Sequence, residues 1–368
     1  MKILQISSAS SIGGGERYLI DLTNALVARG HELYVAVRPG SPLIEHLKLS
    51  PSHIKVLPLR NALDVSSARQ LRRFISSQAI DVIHAHMARD YSLAAYAAKS
   101  NARTKLVVTR HVLFPLNRLH RRTLAGASRV IAVSGAVAHE LRSQSLVNED
   151  RIAVVFNGID TTAFSRSRVE TKEDLRKRLR LSSKKFLVGS IGELRTLKRH
   201  DDFIHAAAIV AEKVPDSSFV IAGVDTSSNQ AIKKSLDQLV AELKLQDRVT
   251  FFGWLEDVPA LLGAMDLFVS SSATESFGLS IAEAMATGTP VVATSTEGAK
   301  EVVRDGTTGV LTPIGDYGKL AEKIVELLND EVRRKEMGVA ASLDVEQRFS
   351  LKRMVDDIER IYKDEART

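Results

Sequence analysis

The chain has 368 residues, which is too long for one hydrophobic core of ordinary size and suits two domains. Hydrophobic residues make up 44% of it, and no run approaches the roughly 18 consecutive apolar residues of a membrane-spanning helix, so the composition predicts a globular protein without such a helix. The absence of cysteine excludes disulfides and thiolate metal sites. The first residues form a strand-like segment too short for the apolar core of a signal peptide, which predicts a mature cytoplasmic protein.

The net charge of +7 is unevenly distributed. Residues 1–165 carry 21 Lys and Arg against 11 Asp and Glu, a balance of +10, which leaves 30 against 33, or −3, for the remainder. A basic half of this kind suits nucleic acid, an anionic lipid surface or a phosphorylated acceptor, or it only keeps the protein dissolved. Nucleic acid is disfavoured, because aromatic residues are only 5% and no stacking platform accompanies the charge.

Short β-rich runs alternate with helical patterns along the chain. Strands are predicted at 2–7, 32–37, 54–57, 82–85, 106–109, 130–133 and 152–155, and again at 186–190, 218–222, 249–252, 267–270, 291–294 and 309–311. This alternation predicts an α/β fold of two doubly wound, parallel-sheet domains. We place the domains at 1–165 and 184–344, with a polar linker at 166–183. A long final helix is predicted at 345–368, with Phe349, Met354, Ile358 and Tyr362 on one face.

A glycine turn follows the first predicted strand. Gly13, Gly14 and Gly15 precede an apolar helical pattern that ends at Gly30, so the backbone can approach a ligand and the helix N-terminus can bind an anion. A dinucleotide-binding domain would place a glycine at the sixth position of the motif, where this chain has Tyr18. A plain tight turn is the alternative.

A cationic loop follows the first strand of the second half. Arg195, Lys198 and Arg199 place three cations within five residues of the segment GELRTLKR. A leaving diphosphate gains negative charge as its bond breaks, and cations at the end of a strand suit it. A solvated basic loop is the alternative.

The segment SSSATESFGLSIAEAMATGTP is a strand, a turn at Phe277 and Gly278, and a helix start. The first N–H groups of such a helix have no intrahelical partner, so a phosphate can bind them. Glu275 and Glu283 bracket the turn. An ordinary helix start, with Glu275 favoured by the helix dipole and Glu283 solvated, is the alternative.

Eight of the ten histidines precede residue 140. His84 and His86 alternate on one predicted strand, where a buried histidine and a ligand role are equally open. No histidine pair has a supporting carboxylate at metal spacing, so we expect no protein-bound metal. His111 follows the carboxyl end of a strand, where ligands of open α/β sheets bind, and is the functional candidate.

Two basic stretches carry much of the positive charge of the first half. SSARQLRRFISS contains Arg69, Arg72 and Arg73 with Leu71, Phe74 and Ile75, and FPLNRLHRRTLA contains Arg118, His120, Arg121 and Arg122. A basic amphipathic helix beside aromatic residues favours an anionic membrane surface. A solvated helix face packed on the sheet is the alternative.

Taken together, these segments resemble the family 4 retaining glycosyltransferases of the GT-B architecture, in which two Rossmann-like domains face a cleft. The matching segments run in the family's order over almost the whole chain: GGGER, ARGHEL, DVIHAHMARD, VVTRHV, VIAVSGAVAHEL, VVFNGID, GELRTLKRHDDFI, RVTFFGWLEDV, ESFGLSIAEAMATGTPVVAT and DGTTGVL. Glu275 and Glu283 form the family's E-x7-E signature.

The resemblance implies a donor site for a nucleoside diphosphate sugar in the second domain. Glu283 would bind the ribose hydroxyls, Glu275 would lie near the donor sugar, and Lys198 would contact the diphosphate. The remaining implied contacts are the backbone of Phe277, Gly278 and Leu279 at the sugar and phosphate, and Phe252, Gly253 and Trp254 near the nucleobase. In the first domain, Gly14 in its loop with Gly15 would reach the diphosphate, and His111 would lie near the reacting face of the sugar.

Two positions depart from the family pattern. Glu193 stands where an arginine is common, and we expect Arg195, rather than Arg199, to supply the missing charge. Glu297 stands where a glycine is frequent.

The resemblance implies transfer of a sugar, with retention, from a nucleoside diphosphate sugar, with UDP favoured, to a glycan or glycolipid acceptor in polysaccharide or lipopolysaccharide synthesis. The first domain would bind the acceptor, no metal or other cofactor is expected, and the inner face of the membrane is a candidate partner. A sugar-nucleotide epimerase and a non-catalytic protein that binds nucleotide sugars or lipids are the alternatives.

Overall fold

The computed structural model describes residues 1–99, 101–117, 120–165 and 170–367. The contacts divide the chain into an N-terminal unit, Met1–Gly158 with Leu351–Thr368, and a C-terminal unit, Ile159–Ser350. Each unit contains one parallel sheet with helices packed on it, so the predicted pair of Rossmann-like domains is confirmed.

The thirteen predicted strands are all confirmed, with ends that differ by at most one residue. They are β1 (Lys2–Ser7), β2 (Glu32–Val37), β3 (Ile54–Val56), β4 (Val82–Ala85), β5 (Lys105–Arg110), β6 (Arg129–Ala132), β7 (Ile152–Val154), β8 (Phe186–Ile191), β9 (Ser217–Ala222), β10 (Val249–Phe252), β11 (Leu267–Ser270), β12 (Val291–Thr294) and β13 (Val310–Thr312). Most are short apolar runs, as expected for strands covered on both faces.

The helices alternate with these strands along the chain. They are α1 (Gly14–Ala28), α2 (Val65–Gln78), α3 (Ala88–Ala98), α4 (His120–Leu124), α5 (Gly135–Ser143), α6 (Thr161–Ser165), α7 (Lys172–Arg178), α8 (His200–Lys213), α9 (Ala231–Glu242), α10 (Val258–Ala264), α11 (Leu279–Ala286), α12 (Glu297–Val302), α13 (Tyr317–Asn329), α14 (Glu331–Phe349) and α15 (Leu351–Arg367). In the part of the chain described, no helix combines the length and the apolar character needed to cross a membrane.

The strand order fixes where a ligand would bind in each sheet. It is β3-β2-β1-β4-β5-β6-β7 in the N-terminal unit and β10-β9-β8-β11-β12-β13 in the C-terminal unit. The order therefore reverses between β1 and β4, and between β8 and β11. Ligands of open α/β sheets bind at the carboxyl ends of the strands beside such a reversal.

The tail is two helices instead of one. Ser350 adopts an extended backbone (φ −66°, ψ 146°) that ends α14, and the chain then enters α15. Met354, Ile358 and Tyr362 of α15 are fully buried in the core of the N-terminal unit. Phe349 belongs to α14, and its ring packs against Phe277 at 5.3 Å in the C-terminal unit. The apolar periodicity continues through the break, so the sequence pattern did not reveal it.

The segment predicted as the linker, 166–183, contains part of the C-terminal unit. Residues 166–169 lie outside the described residues. In α7, Arg176 is buried, and its Nε donates to the carbonyl of Ala264 at 3.0 Å while Nη2 pairs with Asp266 at 2.5 Å. This buried ion pair holds α7 against the start of β11, although the segment itself reads as polar and strand-free.

Candidate active site

A charged pair lies where the strand order of the C-terminal unit reverses. The loops after β8 and β11 carry Lys198 and Glu275, and Nζ of Lys198 donates to Oε1 of Glu275 at 2.6 Å. The hydroxyl of Ser272 donates to the same carboxylate oxygen at 2.7 Å. The side chains are only 24% exposed for Lys198 and 11% for Glu275. The sequence-predicted diphosphate and sugar residues are therefore in direct contact, at the edge where a ligand is expected.

Backbone contacts hold Lys198 in place. The hydroxyl of Ser271 donates to the carbonyls of Lys198 and Arg199 at 3.0 and 2.7 Å, and the N–H of Ala273 donates to the carbonyl of Leu197 at 2.8 Å. The aliphatic stem of Lys198 runs along Gly192, where an added Cβ would lie 3.3 Å from Cε. The cation is therefore positioned before any ligand arrives, which favours electrostatic stabilisation.

The predicted turn and helix start at Phe277 and Gly278 are confirmed. Gly278 has a positive φ of 94°, a conformation that favours glycine, and it directly precedes α11. Phe277 is 2% exposed and anchors the turn in the core. Leu279 is the first residue of α11, and Glu283, one turn inside, is 5% exposed. Burial of Glu283 removes the alternative in which this carboxylate is solvated.

Gly298 is a contact of this turn that sequence reasoning missed. Its N–H donates to the carbonyl of Glu275 at 3.1 Å, and an added Cβ would lie 2.6 Å from that oxygen. Glu297, the departure from the family pattern, points outward with 68% side-chain exposure and pairs with Lys300 at 2.8 Å. The close approach to the carbonyl of Glu275 is made by the glycine one position after Glu297. In the sequence, the only indication of this was that a glycine follows Glu297 in TEGAKE.

The two arginines of the cationic loop have different partners. Arg199 donates from Nη2 to Oδ1 of Asp202 at 3.0 Å, and a second bond from Nε completes a paired contact with α8. Arg195 lies 3.3 Å from Glu193, and its side chain is 50% exposed. Arg195 is therefore the arginine with the more accessible guanidinium, and its contact with a phosphate stays a prediction.

Of the three positions predicted near the nucleobase, Phe252 is partly buried as the last residue of β10, whereas Gly253 and Trp254 lie on an open surface. Gly253 and Trp254 follow β10, and an added Cβ at Gly253 would meet no atom within 4 Å among the described residues. Trp254 is 54% exposed. An exposed aromatic ring at a strand end suits stacking on a base, and this assignment stays a prediction.

The glycine turn and His111 lie together in the N-terminal unit. The turn leads into α1 as predicted, and the N–H of Gly13 donates to Oε2 of Glu16 at 3.0 Å. Gly14 is exposed. Gly15 lies against the His111 ring, where an added Cβ would be 3.4 Å from Cγ. Two candidate groups from separate motifs therefore share one edge of this sheet.

His111 belongs to a row of three imidazoles. Its Nε2 lies 3.3 Å from Nδ1 of His86, and Nε2 of His86 lies 2.6 Å from Oε1 of Gln5. The rings of His84 and His86 are 4.2 Å apart, and Nε2 of His84 lies 2.6 Å from Oγ1 of Thr109. The first member of the row is buried and the last is partly exposed. Sequence reasoning found the histidines and missed Gln5, which only its place on β1 brings to them.

Burial keeps these imidazoles neutral. It lowers the pKa of His84 and of His111 to about 3, with the neighbouring Arg110 adding to the effect at His111. It also lowers the pKa of His86 well below its ordinary value, with the other two histidines adding to the effect. Among the described residues, no group of three His, Cys, Asp or Glu is arranged to hold a metal ion. For His84 and His86, the structure favours the buried, hydrogen-bonded interpretation.

The basic helix α2 packs its apolar face on the sheet. Leu71 and Ile75 are fully buried in the core, whereas Arg69, Arg72 and Arg73 are exposed. These leucine and isoleucine side chains are therefore not available to enter a bilayer. In the second basic stretch, Arg118 lies outside the described residues, and Arg121 and Arg122 are exposed on α4. The membrane surface stays a prediction, now carried by exposed charge and not by an amphipathic helix face.

Two family models match the chain. The model described as Glycosyltransferase Family 4 matches residues 12–163, and the one described as Glycosyl transferases group 1 matches residues 171–344. The chain is 30% identical over 383 residues to the N-acetyl-alpha-D-glucosaminyl L-malate synthase of Bacillus anthracis, a match that covers 98% of this chain and 97% of the synthase. It is 26% identical over 349 residues to the lipopolysaccharide core biosynthesis glycosyltransferase LpsE of Rhizobium meliloti, with 94% of each chain covered.

The fold is similar to that of solved glycosyltransferases. The structure of Anabaena Alr3699/HepE in complex with UDP-glucose has a TM-score of 0.84 and 27% sequence identity, and the match covers 99% of this chain and 100% of the other. With the two ordered family matches and the full-length similarity to the synthase, these findings place the chain: it belongs to the family 4 glycosyltransferases and has the GT-B fold.

Proposed function

We propose that this glycosyltransferase moves a sugar, with retention at the anomeric carbon, from a UDP-sugar to a glycan or glycolipid acceptor in cell-surface polysaccharide synthesis. The observation that carries the proposal is the preorganised contact between Lys198 and Glu275 at the strand reversal of the C-terminal unit. A fixed cation and a carboxylate that accepts hydrogen bonds match the two parts of such a donor, its diphosphate and its sugar hydroxyls.

The donor assignment follows the chemistry of each group. Glu283 is assigned to the ribose hydroxyls, because a carboxylate accepts from two donors. The backbone N–H groups of Phe277, Gly278 and Leu279 are assigned to the sugar and phosphate, since a helix N-terminus favours an anion. Gly253 and Trp254 offer an open surface to the base. The UDP-glucose named for the similar Anabaena structure supports uridine as the nucleotide.

The chemical step is the departure of the diphosphate. The bond between the anomeric carbon and the phosphate oxygen breaks, its electron pair leaves with UDP, and an acceptor hydroxyl attacks from the same face and loses its proton. Lys198 and Arg195 stabilise the charge that develops on UDP. Because these cations and the start of α11 meet that charge, we expect turnover without a divalent metal.

The acceptor is assigned to the N-terminal unit. His111 and the turn with Gly14 and Gly15 occupy the carboxyl edge of its sheet. The exposed arginines of α2 and α4 favour an anionic acceptor or a membrane that carries it. The name of the similar LpsE, a lipopolysaccharide core biosynthesis glycosyltransferase, supports a cell-surface glycan as the product.

A donor screen tests the proposal. We expect UDP-sugars to raise the melting temperature more than GDP- or ADP-sugars, because a ligand that binds only the folded state stabilises it. Incubation with the best donor and extracted glycolipids should then give a product whose anomeric configuration, measured by NMR, equals that of the donor. An inverted product would contradict retention, and preference for GDP- or ADP-sugars would contradict uridine. An isomerised donor without transfer would identify an epimerase, and binding without turnover would identify a non-catalytic protein.

A further inference from the structure

We propose that Gln5 and His86 are positioning residues that fix His111 as the tautomer protonated at Nε2, so that Nδ1 is the hydrogen-bond acceptor this imidazole offers to a substrate hydroxyl. The tautomer is a property of the protein without ligand. Only the claim that a substrate hydroxyl donates to Nδ1 rests on the proposed function.

The chain of hydrogen bonds starts at Gln5. This side chain is fully buried on β1, and its Oε1 lies 2.6 Å from Nε2 of His86. With the amide oxygen facing this nitrogen, Nε2 of His86 carries the hydrogen, because an amide oxygen only accepts hydrogen bonds, whereas the reversed amide would give both histidines the opposite tautomer. A neutral imidazole has one N–H, and Nδ1 of His86 is therefore left with a lone pair.

The next bond fixes His111. Its Nε2 lies 3.3 Å from Nδ1 of His86, and two lone pairs at this distance would repel each other. Nε2 of His111 must therefore donate the hydrogen, which leaves the lone pair on Nδ1. Burial supports this assignment, because the lowered pKa values of both rings keep them in the neutral form in which a tautomer is defined.

His84 cannot replace either partner. Its Nδ1 lies 2.5 Å from the hydroxyl of Tyr362, and its Nε2 lies 2.6 Å from Oγ1 of Thr109, so both ring nitrogens are already engaged. Its ring lies 4.2 Å from that of His86 and is tilted by 37° to it. The hydrogen-bond chain therefore runs from Gln5 through His86 to His111, and His84 supports it by packing.

Nδ1 is the free nitrogen of His111. Gly15 covers the Cγ and Cδ2 edge of the ring, and the ring of Tyr18 meets it edge to face at 4.8 Å. Within the described ranges, no hydrogen bond involves Nδ1 of His111. A hydroxyl of the donor sugar or of the acceptor can therefore donate to it, whereas the opposite tautomer would present an N–H and would suit a carbonyl or a phosphate oxygen.

Side-chain NMR of the full chain labelled with 15N at histidine tests the tautomer directly. We assign the His111 signals by their loss in the His111→Asn variant, and expect a protonated Nε2 and an unprotonated Nδ1 in the wild-type protein without nucleotide. A protonated Nδ1 would overturn the proposal. The NMR measurement does not depend on sugar transfer, so it determines the tautomer of His111 even if no donor is found in the screen.

The Gln5→Leu variant tests the positioning role. Without the amide oxygen, the hydrogen of His86 moves to Nδ1, where His111 can accept it, and His111 becomes protonated at Nδ1. We expect kcat to fall about 10-fold with the UDP affinity unchanged. The Thr109→Val variant removes an equally buried hydrogen bond, to His84, and should leave the His111 tautomer and kcat as in the wild type. An unchanged tautomer in Gln5→Leu, or equal losses of kcat in the two variants, would contradict the role.

Discussion

The polar groups at the carboxyl edge of one sheet are charged, whereas those at the carboxyl edge of the other sheet are neutral. In the C-terminal unit the groups are charged and paired, with Lys198 bound to Glu275 and Arg195 near Glu193. In the N-terminal unit, the row of buried His84 and His86 and partly exposed His111 is neutral and is held by hydrogen bonds. The same fold therefore supplies one edge suited to a diphosphate and another suited to hydroxyl groups.

The difference shows how function is placed on a shared architecture. Both sheets have the same reversal of strand order, and both bring two loops together beside it. What differs is the set of side chains that follows each strand. In the proposed function, the charged edge is assigned to a group that gains charge in the reaction, and the neutral edge to groups that do not.

The largest expected effect is at the charged edge. Replacement of Lys198 by Ala should lower kcat by about 100-fold, because it removes the fixed cation that we assign to the leaving diphosphate. Steady-state transfer assays measure the loss. Lys300→Ala is the matched control, since this lysine is exposed and pairs with Glu297 in the same unit. Equal rates for Lys198→Ala and the wild type would remove the leaving-group role.

A steric change should weaken the same edge without altering charge. Gly298→Ala places a Cβ 2.6 Å from the carbonyl of Glu275, so the turn must shift. We expect about 10-fold weaker donor binding and a loss of about 1–3 kcal/mol in the free energy of unfolding. In Gly318→Ala, the control, the nearest atom to the new Cβ lies at 3.4 Å, and binding should stay as in the wild type. Wild-type affinity in Gly298→Ala would show that the turn does not hold the donor.

The neutral edge should make the N-terminal unit the more acid-sensitive one. The folded-state pKa values of His84 and His111 are lowered to about 3, and that of His86 lies well below its ordinary value. Unfolding therefore takes up protons as the pH falls below about 6.5, and stability falls with it. Each such histidine costs up to about 1.4 kcal/mol per pH unit. Burial raises the pKa of Asp90 to about 6, so protonation of this carboxyl favours the folded state as the pH falls. This gain in stability offsets the loss from about one of the three histidines.

Among the groups described, the C-terminal unit has one histidine whose pKa is lowered by burial. This residue is His200, and its pKa is lowered to about 4. Amide hydrogen exchange at pH 7.5 and 5.0, corrected for the intrinsic rates, measures each unit separately. Protection should fall more for β4 and β5 than for β9. The opposite order would contradict the assignment of the neutral histidines.

The sequence predicted the fold in detail because each strand is a short apolar run bounded by polar turns. The helix start at Gly278 was equally visible, since a glycine that needs a positive φ directly precedes the apolar pattern of α11. The family motifs place Lys198 and Glu275 after the strands on either side of the reversal, but the ion pair between them was not predicted from the sequence.

The contacts that the sequence did not reveal depend on distant parts of the chain. Gln5 meets His86 only because β1 lies beside β4, and no local pattern marks a buried glutamine as a hydrogen-bond acceptor. Gly298 approaches Glu275 only because α12 packs on the turn. The break at Ser350 was hidden because the apolar spacing of the final helix continues across it.

Calorimetric titration with UDP most directly tests the division between the two edges. Glu283→Ala should weaken UDP binding by about 10-fold or more, because it removes the carboxylate that we assign to the ribose hydroxyls. His111→Asn should leave the affinity within about twofold of the wild type while it lowers kcat, since the neutral edge is assigned to the sugar and acceptor hydroxyls. Unchanged affinity in Glu283→Ala together with a large loss in His111→Asn would contradict the assignment of the nucleotide to the charged edge.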